Sequence, residues 1–525
     1  MCGFVFLTGK TFTKEMAEQA LNKLHHRGPD DTELRHSHGA YIGFKRLAIM
    51  DLSHAGDQPF ETADTLLACN GEIYNYKALK ESFSDFKYHS GSDCEVLLPL
   101  FEHGGIEELV HKVDAEYACV VMSKKTGEVF AARDPMGIRP LFYGHSKEGE
   151  ICFASEAKAL QGLCDEITPF PPGHFYFAGK FKSYLDLGET PSYHDDGLPQ
   201  VFKNIREKLV AGVEKRLQAD ASIGFLLSGG LDSSLVCSIA QKVSKSPIKT
   251  FAIGMSEDAI DLKYAKEVAD HIGSDHTEVI IKKEDVIKCL RDVIYHLETW
   301  DITTVRASVG MYLVCKHIQE TTDIKVLMTG EVSDEIFGYK YTDFAPSPEE
   351  FQKEAEKRVK EIFMYDVLRA DRCISAHSLE ARVPFSDTDF VKYVMQINPI
   401  LKMNSYGQGK FILRKAFEGD FLPDSILYRE KAAFSDAVGH SMVDYIKAYA
   451  QELYSDQDVA KAGAKYGHCA PFTKESLMFR DIFEEFYPKR GAWIKDYWMP
   501  NKSWKNCDVK DPSARVLPNY GASGS

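Results

Sequence analysis

From Phe202 onward, apolar strand-like runs alternate with amphipathic helices, and this alternation constrains the fold more than any other feature. Phe202, Ile205, Leu209, Val213 and Leu217 recur at three- and four-residue steps, which predicts a helix with one buried face. Strands are expected at 223–227, 249–253, 276–281 and 324–328. Helices at 233–243 and 262–272, the second stopped by Gly273, and two later helical segments separate them. Parallel strands need such crossovers, so the pattern predicts an α/β doubly wound parallel sheet whose ligands bind beyond the carboxyl ends of the strands. A mainly helical part with charged faces follows from 351 to 463.

The first part of the chain is patterned differently. Short runs rich in Val, Ile, Phe and Tyr at 41–44, 66–69, 117–122, 129–132 and 174–177 are punctuated by turn residues, with helices expected at 14–25 and 95–103. This predicts an α+β domain built on antiparallel sheets. Residues 187–199 (LGETPSYHDDGLP) concentrate Gly, Pro, Ser and Asp without apolar periodicity and read as a linker. The division is therefore 2–186, a linker at 187–200, a second domain at 201–500 and a polar tail at 501–525, expected to be partly disordered.

A net charge of −15 argues against a nucleic-acid or anionic-membrane surface, both of which reward clustered Lys and Arg. No apolar run approaches the length that spans a bilayer, and the run after Met1 is too short for a signal-peptide core, so a cytoplasmic location is expected. The 12 cysteines show no CxxC spacing, which disfavours a structural zinc site or disulfide framework.

Cys2 is placed differently from the rest. If Met1 is removed, this residue carries both a thiol and a free α-amine able to take the thiol proton, so nucleophile and base come from one residue. Five segments then match, in order, the class II glutamine amidotransferase domain. They are His26-Arg27-Gly28-Pro29-Asp30, Arg46-Leu47-Ala48-Ile49-Met50-Asp51, Asn70-Gly71-Glu72-Ile73-Tyr74-Asn75, Gly91-Ser92-Asp93-Cys94-Glu95 and Arg133-Asp134. The resemblance implies an N-terminal-nucleophile fold, antiparallel sheets sandwiched by helices, with Cys2 as nucleophile and Asn70 and Gly71 as the oxyanion hole. Arg46 suits the α-carboxylate of glutamine and Asp93 its α-ammonium, while Leu47, Ala48, Ile49, Met50 and Glu72 complete the wall.

Leu227-Ser228-Gly229-Gly230-Leu231-Asp232-Ser233-Ser234 joins a predicted strand to a predicted helix. The glycines allow close approach of an anion, and backbone N–H groups and the helix dipole favour it. Asp232 would repel phosphate unless Mg²⁺ lies between them. The loop lacks the Lys of a Walker A motif, which points to cleavage between the α and β phosphates. It resembles the pyrophosphate loop of N-type ATP pyrophosphatases.

Together the two halves resemble the glutamine-hydrolysing asparagine synthetase family over nearly the whole chain. The resemblance adds the segments 301–308 (DITTVRAS), 379–385 (LEARVPF) and 429–431 (REK) with 434–436 (FSD). It implies that Leu227 and Ile253 hold the adenine and ribose of ATP, that Ser228, Gly229, Gly230, Asp232, Ser233 and Ser234 hold its phosphates, and that Thr329 and Gly330 contact it. Glu331 would support the acyl-adenylate, Asp334 would share Mg²⁺ with Asp232, and Lys431 would be the cation at the α-phosphate. L-glutamine, L-aspartate and ATP are the implied substrates, and a homodimer the implied assembly.

Two departures stand out. Val332 replaces a glycine of the family's loop, and Phe337-Gly338-Tyr339 is one glycine shorter. A β-branched residue disfavours positive φ, so a rearranged loop is expected if the glycine served that purpose. Two alternatives stay open at this level: a related amidotransferase that adenylates another carboxylate, or a non-catalytic sensor that keeps the fold.

Overall fold

The computed structural model describes residues 1–255, 259–430 and 440–520. Two six-stranded sheets make up the first half. One orders its strands Ile167–Pro169, Phe142–His145, Ile151–Ala154, Gly3–Thr8, Ala40–Arg46 and Asp31–Ser37. The other runs Lys180–Ser183, His174–Phe177, Val129–Arg133, Ala115–Ser123, Thr65–Ile73 and Phe60–Glu61. Alternation along each strand sends Phe4, Phe6, Phe44, Ala68, Val120 and Phe153 into one core between the sheets. The helix Lys14–Asn22 covers the outer face of the first sheet, and Leu97–Lys112 covers that of the second. The predicted α+β sandwich is thus present. The helix expected at 95–103 instead opens with a 3₁₀ turn, Cys94–Val96, and runs on to Lys112 through a break at Gly105, whose φ is +69°.

Residues 184–197 carry the chain across to the helix Leu198–Arg216, which starts where Pro199 presets helical φ. The second half holds a five-stranded parallel sheet ordered Asp275–Ile280, Lys249–Gly254, Ile223–Leu226, Val326–Met328 and Glu380–Arg382. Strand order reverses beside Ile223–Leu226, so the loops leaving it and Val326–Met328 part and open a crevice at their carboxyl ends.

The fifth strand, Glu380–Arg382, is absent from the sequence reading because its outer residues are charged. All three of its residues are buried, and ion pairs neutralise the charges: Arg382 Nε reaches Glu380 at 3.0 Å and Arg382 Nη2 reaches Glu72 at 2.9 Å. Arg27 likewise joins the halves, donating to Glu156 at 2.7 Å and to Asp371 at 2.8 Å with no side-chain exposure. Removing one partner from such a network typically costs about 3–5 kcal/mol, so the halves are held in one register.

The polar tail from 501, expected to be partly disordered, is ordered among the described residues as far as Tyr520. Trp504, Cys507 and Leu517 are buried against Tyr341 and Phe351, and this long-range packing outweighs the segment's turn-rich composition. No helix among the described residues is long and apolar enough to cross a membrane. All 12 cysteines are free thiols, and 10 of them are buried.

Candidate active site

The first site forms where the strand Gly3–Thr8 starts. The Cys2 Sγ accepts the Leu47 N–H at 3.4 Å, and the Cys2 carbonyl accepts from Arg27 Nε at 2.8 Å. The HRGPD turn therefore holds Cys2 in place. Its Gly28 is required, because a Cβ there would lie 2.5 Å from the Lys45 carbonyl oxygen. Its Asp30 accepts from Ala48 N at 2.8 Å and so fixes the Leu47–Met50 segment. Leu47, Ile49 and Met50 pack around Cys2 and against Val326 of the parallel sheet.

Asn70 and Gly71 lie side by side on Thr65–Ile73. A Cβ on Gly71 would come within 2.6 Å of the Glu116 carbonyl oxygen, so only glycine allows this strand pairing. The Asn70 side chain is fully buried, and neither its amide nitrogen nor its oxygen has a hydrogen-bond partner among the described residues. Buried polar groups are nearly always paired, so an orphaned buried amide is free to donate to a bound oxygen anion. Asp93 accepts from Ile73 N at 2.6 Å, and burial pushes its carboxyl above the usual range. A substrate ammonium would offset that cost.

Arg46 is more engaged than the sequence suggests. Its Nη1 donates to the Ser53 carbonyl at 2.6 Å and to Asp57 Oδ1 at 2.5 Å, and its Nη2 to the carbonyls of Met50 and Asp51. A substrate carboxylate must therefore replace Asp57. Glu72 faces Arg382 of the second half, whose carbonyl accepts from Thr329 N at 3.1 Å. One short strand thus touches both sites.

Burial pushes the Cys2 thiol up to about 11 and the Met1 amine down to about 5, with that amine donating to the Leu379 carbonyl at 3.1 Å. A thiol held that high needs a base at hand, and its own α-amine is one once Met1 is gone.

The second site fills the crevice of the parallel sheet. Gly229 takes φ +69° with its α-carbon packed on Ala265, where a Cβ would lie 2.6 Å from the backbone nitrogen. Gly230 caps the helix Leu231–Val243. Ser233 Oγ accepts from Ser228 N at 3.2 Å and pairs with Ser228 Oγ at 2.9 Å, closing the loop into an N–H-lined cradle. Gly330 packs on it, since a Cβ there would sit 2.9 Å from Ser233 N. Leu227, Ser228, Gly230, Asp232, Ser233, Ile253, Thr329, Gly330, Glu331 and Asp334 line one cavity. Gly229 stands behind that wall, and Ser234 is fully buried in the helix. Thr329 Oγ1 and Glu331 Oε2 are buried without a hydrogen-bond partner among the described residues.

Lys410, which the sequence reading passed over, sits at the centre. Its ammonium lies 2.8 Å from both Asp232 oxygens and 2.6 Å from Asp334 Oδ1, and donates to Ser333 Oγ at 2.9 Å. The two carboxylates therefore converge on one cationic point. That hard, all-oxygen donor pair beside a phosphate cradle fits Mg²⁺. The signal for Lys410 was its place in Gly407-Gln408-Gly409-Lys410, a glycine-rich turn ahead of a helix. Arg429 also fixes the cradle, donating to the Gly229 carbonyl at 3.0 Å. Lys431 lies outside the described residues.

The expectation of a rearranged loop at Val332 is corrected. Val332 is buried and keeps positive φ at +82°, opening the short helix Ser333–Phe337 and placing Asp334 on Lys410. Strain of about 1–3 kcal/mol at such a residue opposes about 1.5–3 kcal/mol gained by burying a valine. Val332→Gly should therefore leave stability within about 1 kcal/mol of wild type, a balance that urea unfolding midpoints would check. A loss above about 3 kcal/mol would show that the φ carries no strain.

An antiparallel sandwich with a half-buried thiol at residue 2, followed by a parallel sheet with a glycine-rich, N–H-lined cradle, defines an ATP-dependent glutamine amidotransferase. Comparisons agree: a family model described as a glutamine amidotransferase domain matches residues 1–171, and one described as asparagine synthase matches 204–349 and 343–510. The chain is 41% identical to the glutamine-hydrolyzing asparagine synthetase of Gallus gallus and 40% identical to that of Homo sapiens, with 99% of each chain covered. A probable asparagine synthetase of Acanthamoeba polyphaga mimivirus is 39% identical, over 99% of this chain and 100% of its own. The chain belongs to the family of glutamine-hydrolysing asparagine synthetases.

Proposed function

We propose that the chain converts L-aspartate, L-glutamine and ATP to L-asparagine, L-glutamate, AMP and pyrophosphate. The observation that carries this is the joining of the two sites by one strand: Glu72, next to Gly71 on Thr65–Ile73, pairs with Arg382, whose carbonyl also accepts from Thr329 N at the second cavity. In the first site the Cys2 thiolate attacks the glutamine carboxamide, Asn70 Nδ2 and the Gly71 N–H take up the oxyanion, the C–N bond breaks to release ammonia and leave a γ-glutamyl thioester, and water hydrolyses that thioester to glutamate. Arg46 and Asp93 hold the α-carboxylate and α-ammonium.

In the second site the side-chain carboxylate of aspartate attacks the α-phosphorus, because a carboxylate needs a good leaving group before ammonia can displace it. Asp232 and Asp334 would hold Mg²⁺, which neutralises the phosphates when bound. The cradle N–H groups orient the pyrophosphate, and Glu331 and Lys431 support formation and aminolysis of the β-aspartyl-AMP. Val332 leaves the loop's turn in place, so the altered residue lends nothing to a non-catalytic reading. The same reading divides the chain at 187–200. Family membership supports its homodimer and cytoplasmic location.

The test is pyrophosphate and asparagine formation with ATP, Mg²⁺, glutamine and aspartate, and with glutamate or succinate in place of aspartate. Product with aspartate alone is expected. Glutamine hydrolysis without pyrophosphate release would sink the assignment.

Asp57 gives a second expected outcome. Its carboxylate occupies Arg46, so Asp57→Asn should lower the KM for glutamine about threefold to tenfold with kcat within about twofold, since the substrate no longer displaces a charge. Initial-rate glutaminase kinetics check this.

A further inference from the structure

The synthetase cavity is not closed by the two nucleotide loops alone. Pro512, Ser513 and Ala514, far along the chain, also line it, as do Thr303, Thr304 and Ala307 of the helix Ile302–Thr321. The segment that carries them is fastened at three places. At its start Trp504 and Cys507 are buried on Tyr341, with the Trp504 and Tyr341 rings stacked at 6.1 Å. In the middle Asp511 accepts from Arg306 Nη1 at 2.8 Å and from Lys447 Nζ at 2.5 Å, and these two cations hold its carboxyl far below the usual range. Near its end Asn519 Nδ2 donates to the Lys340 carbonyl at 2.7 Å and to Asp343 Oδ2 at 2.8 Å. The backbone between Tyr339 and Asp343, which this segment clasps, itself lines the cavity.

We propose that residues 507–520 form the outer wall of the adenylation site and keep water from the acyl-adenylate until ammonia arrives, with Asp511 as the positioning residue that latches the wall to Arg306. The inference rests on the functional reading above. The β-aspartyl-AMP is a mixed anhydride. When ammonia attacks, the acyl carbon gains a C–N bond, its bond to the phosphate oxygen breaks, AMP leaves with the electron pair, and the nitrogen loses a proton. When water attacks the same carbon, the acyl–oxygen bond breaks in the same way, but the products are aspartate and AMP, and ATP is lost without asparagine. A site that makes such an intermediate must exclude bulk water.

Arg306 keeps a second, bidentate partner in Glu475, at 2.8 and 2.5 Å, so removing Asp511 does not strand a buried cation. Asp511→Ala should therefore fold, and a urea unfolding midpoint close to wild type would show that it has.

The experiment measures pyrophosphate released per asparagine formed, at saturating ATP, Mg²⁺, aspartate and glutamine, for wild type, Asp511→Ala and Asn519→Ala. Wild type is expected near one to one. Both variants should raise the ratio, Asp511→Ala by about threefold or more, with AMP and aspartate accumulating. A ratio that stays at one in both, whether or not the rate falls, overturns the inference and leaves the segment a structural brace. Wild type that releases no pyrophosphate with aspartate overturns the functional reading, and the inference with it.

Discussion

Cys2→Ala should abolish glutamine-driven asparagine synthesis and leave ammonia-driven synthesis within about twofold of wild type. The substitution removes only Sγ, whose contacts are with the Leu47 backbone, so the Arg27 anchor on the residue-2 carbonyl and the strand Gly3–Thr8 remain. Without a nucleophile no thioester forms, and Asn70 has no tetrahedral oxyanion to stabilise. A loss on the order of 10³-fold or more is expected. Blocking removal of Met1 with an N-terminal extension should act in the same way, because the thiol then loses the only amine able to share its position. Glutamate release and asparagine formation, each measured with glutamine and with ammonium, check the split. Equal loss from both nitrogen sources would mean that Cys2 supports the fold across both halves rather than the chemistry of one.

Asp232→Asn should give the opposite pattern. Glutamine hydrolysis without ATP stays near wild type, and pyrophosphate release falls about 10²-fold or more with either nitrogen source. Asp232 lends both oxygens to Lys410 and accepts from Ser333 Oγ at 2.7 Å, so it sets the separation of the nucleotide loop from the Thr329–Asp334 loop. An amide keeps the shape but removes the charge that a divalent cation needs, and leaves Lys410 with Asp334 and Ser333 Oγ. Pyrophosphate release titrated against Mg²⁺ checks this. The variant should need more Mg²⁺ for half-maximal rate, and an unchanged Mg²⁺ profile would remove Asp232 from the metal site.

Sequence alone determined the two fold classes and singled out Cys2 and the glycine-rich loop at 228–234 as candidates for the two sites. Each of these rests on a local rule: strand and helix periodicity, paired glycines at 229 and 230 that let an anion approach the backbone, and a cysteine at position 2. Local backbone preference and side-chain period are properties of short stretches, so they can be read without knowing what lies opposite. Even there, one local rule misled. The β-branched Val332 holds the positive φ that the glycine rule assigned elsewhere, because burial in the core beneath the crevice offsets the strain.

What only the tertiary structure decided are the meetings between distant residues. The strand Glu380–Arg382 was hidden because charged residues mark it as surface, until Glu72 and Arg139 arrive from the other half to neutralise it. Lys410 gains its place from Asp232 and Asp334, 178 residues away in the first case. Arg46 looks like a free cation in the sequence, yet its own loop satisfies it. The stretch from Trp504 to Asn519 looks like a polar tail, yet Arg306, Lys340 and Tyr341 turn it into a wall. In every one of these cases a buried charge or an ordered segment is stable only when its partner is in place, and pairing between distant residues is the one quantity that composition and periodicity do not contain.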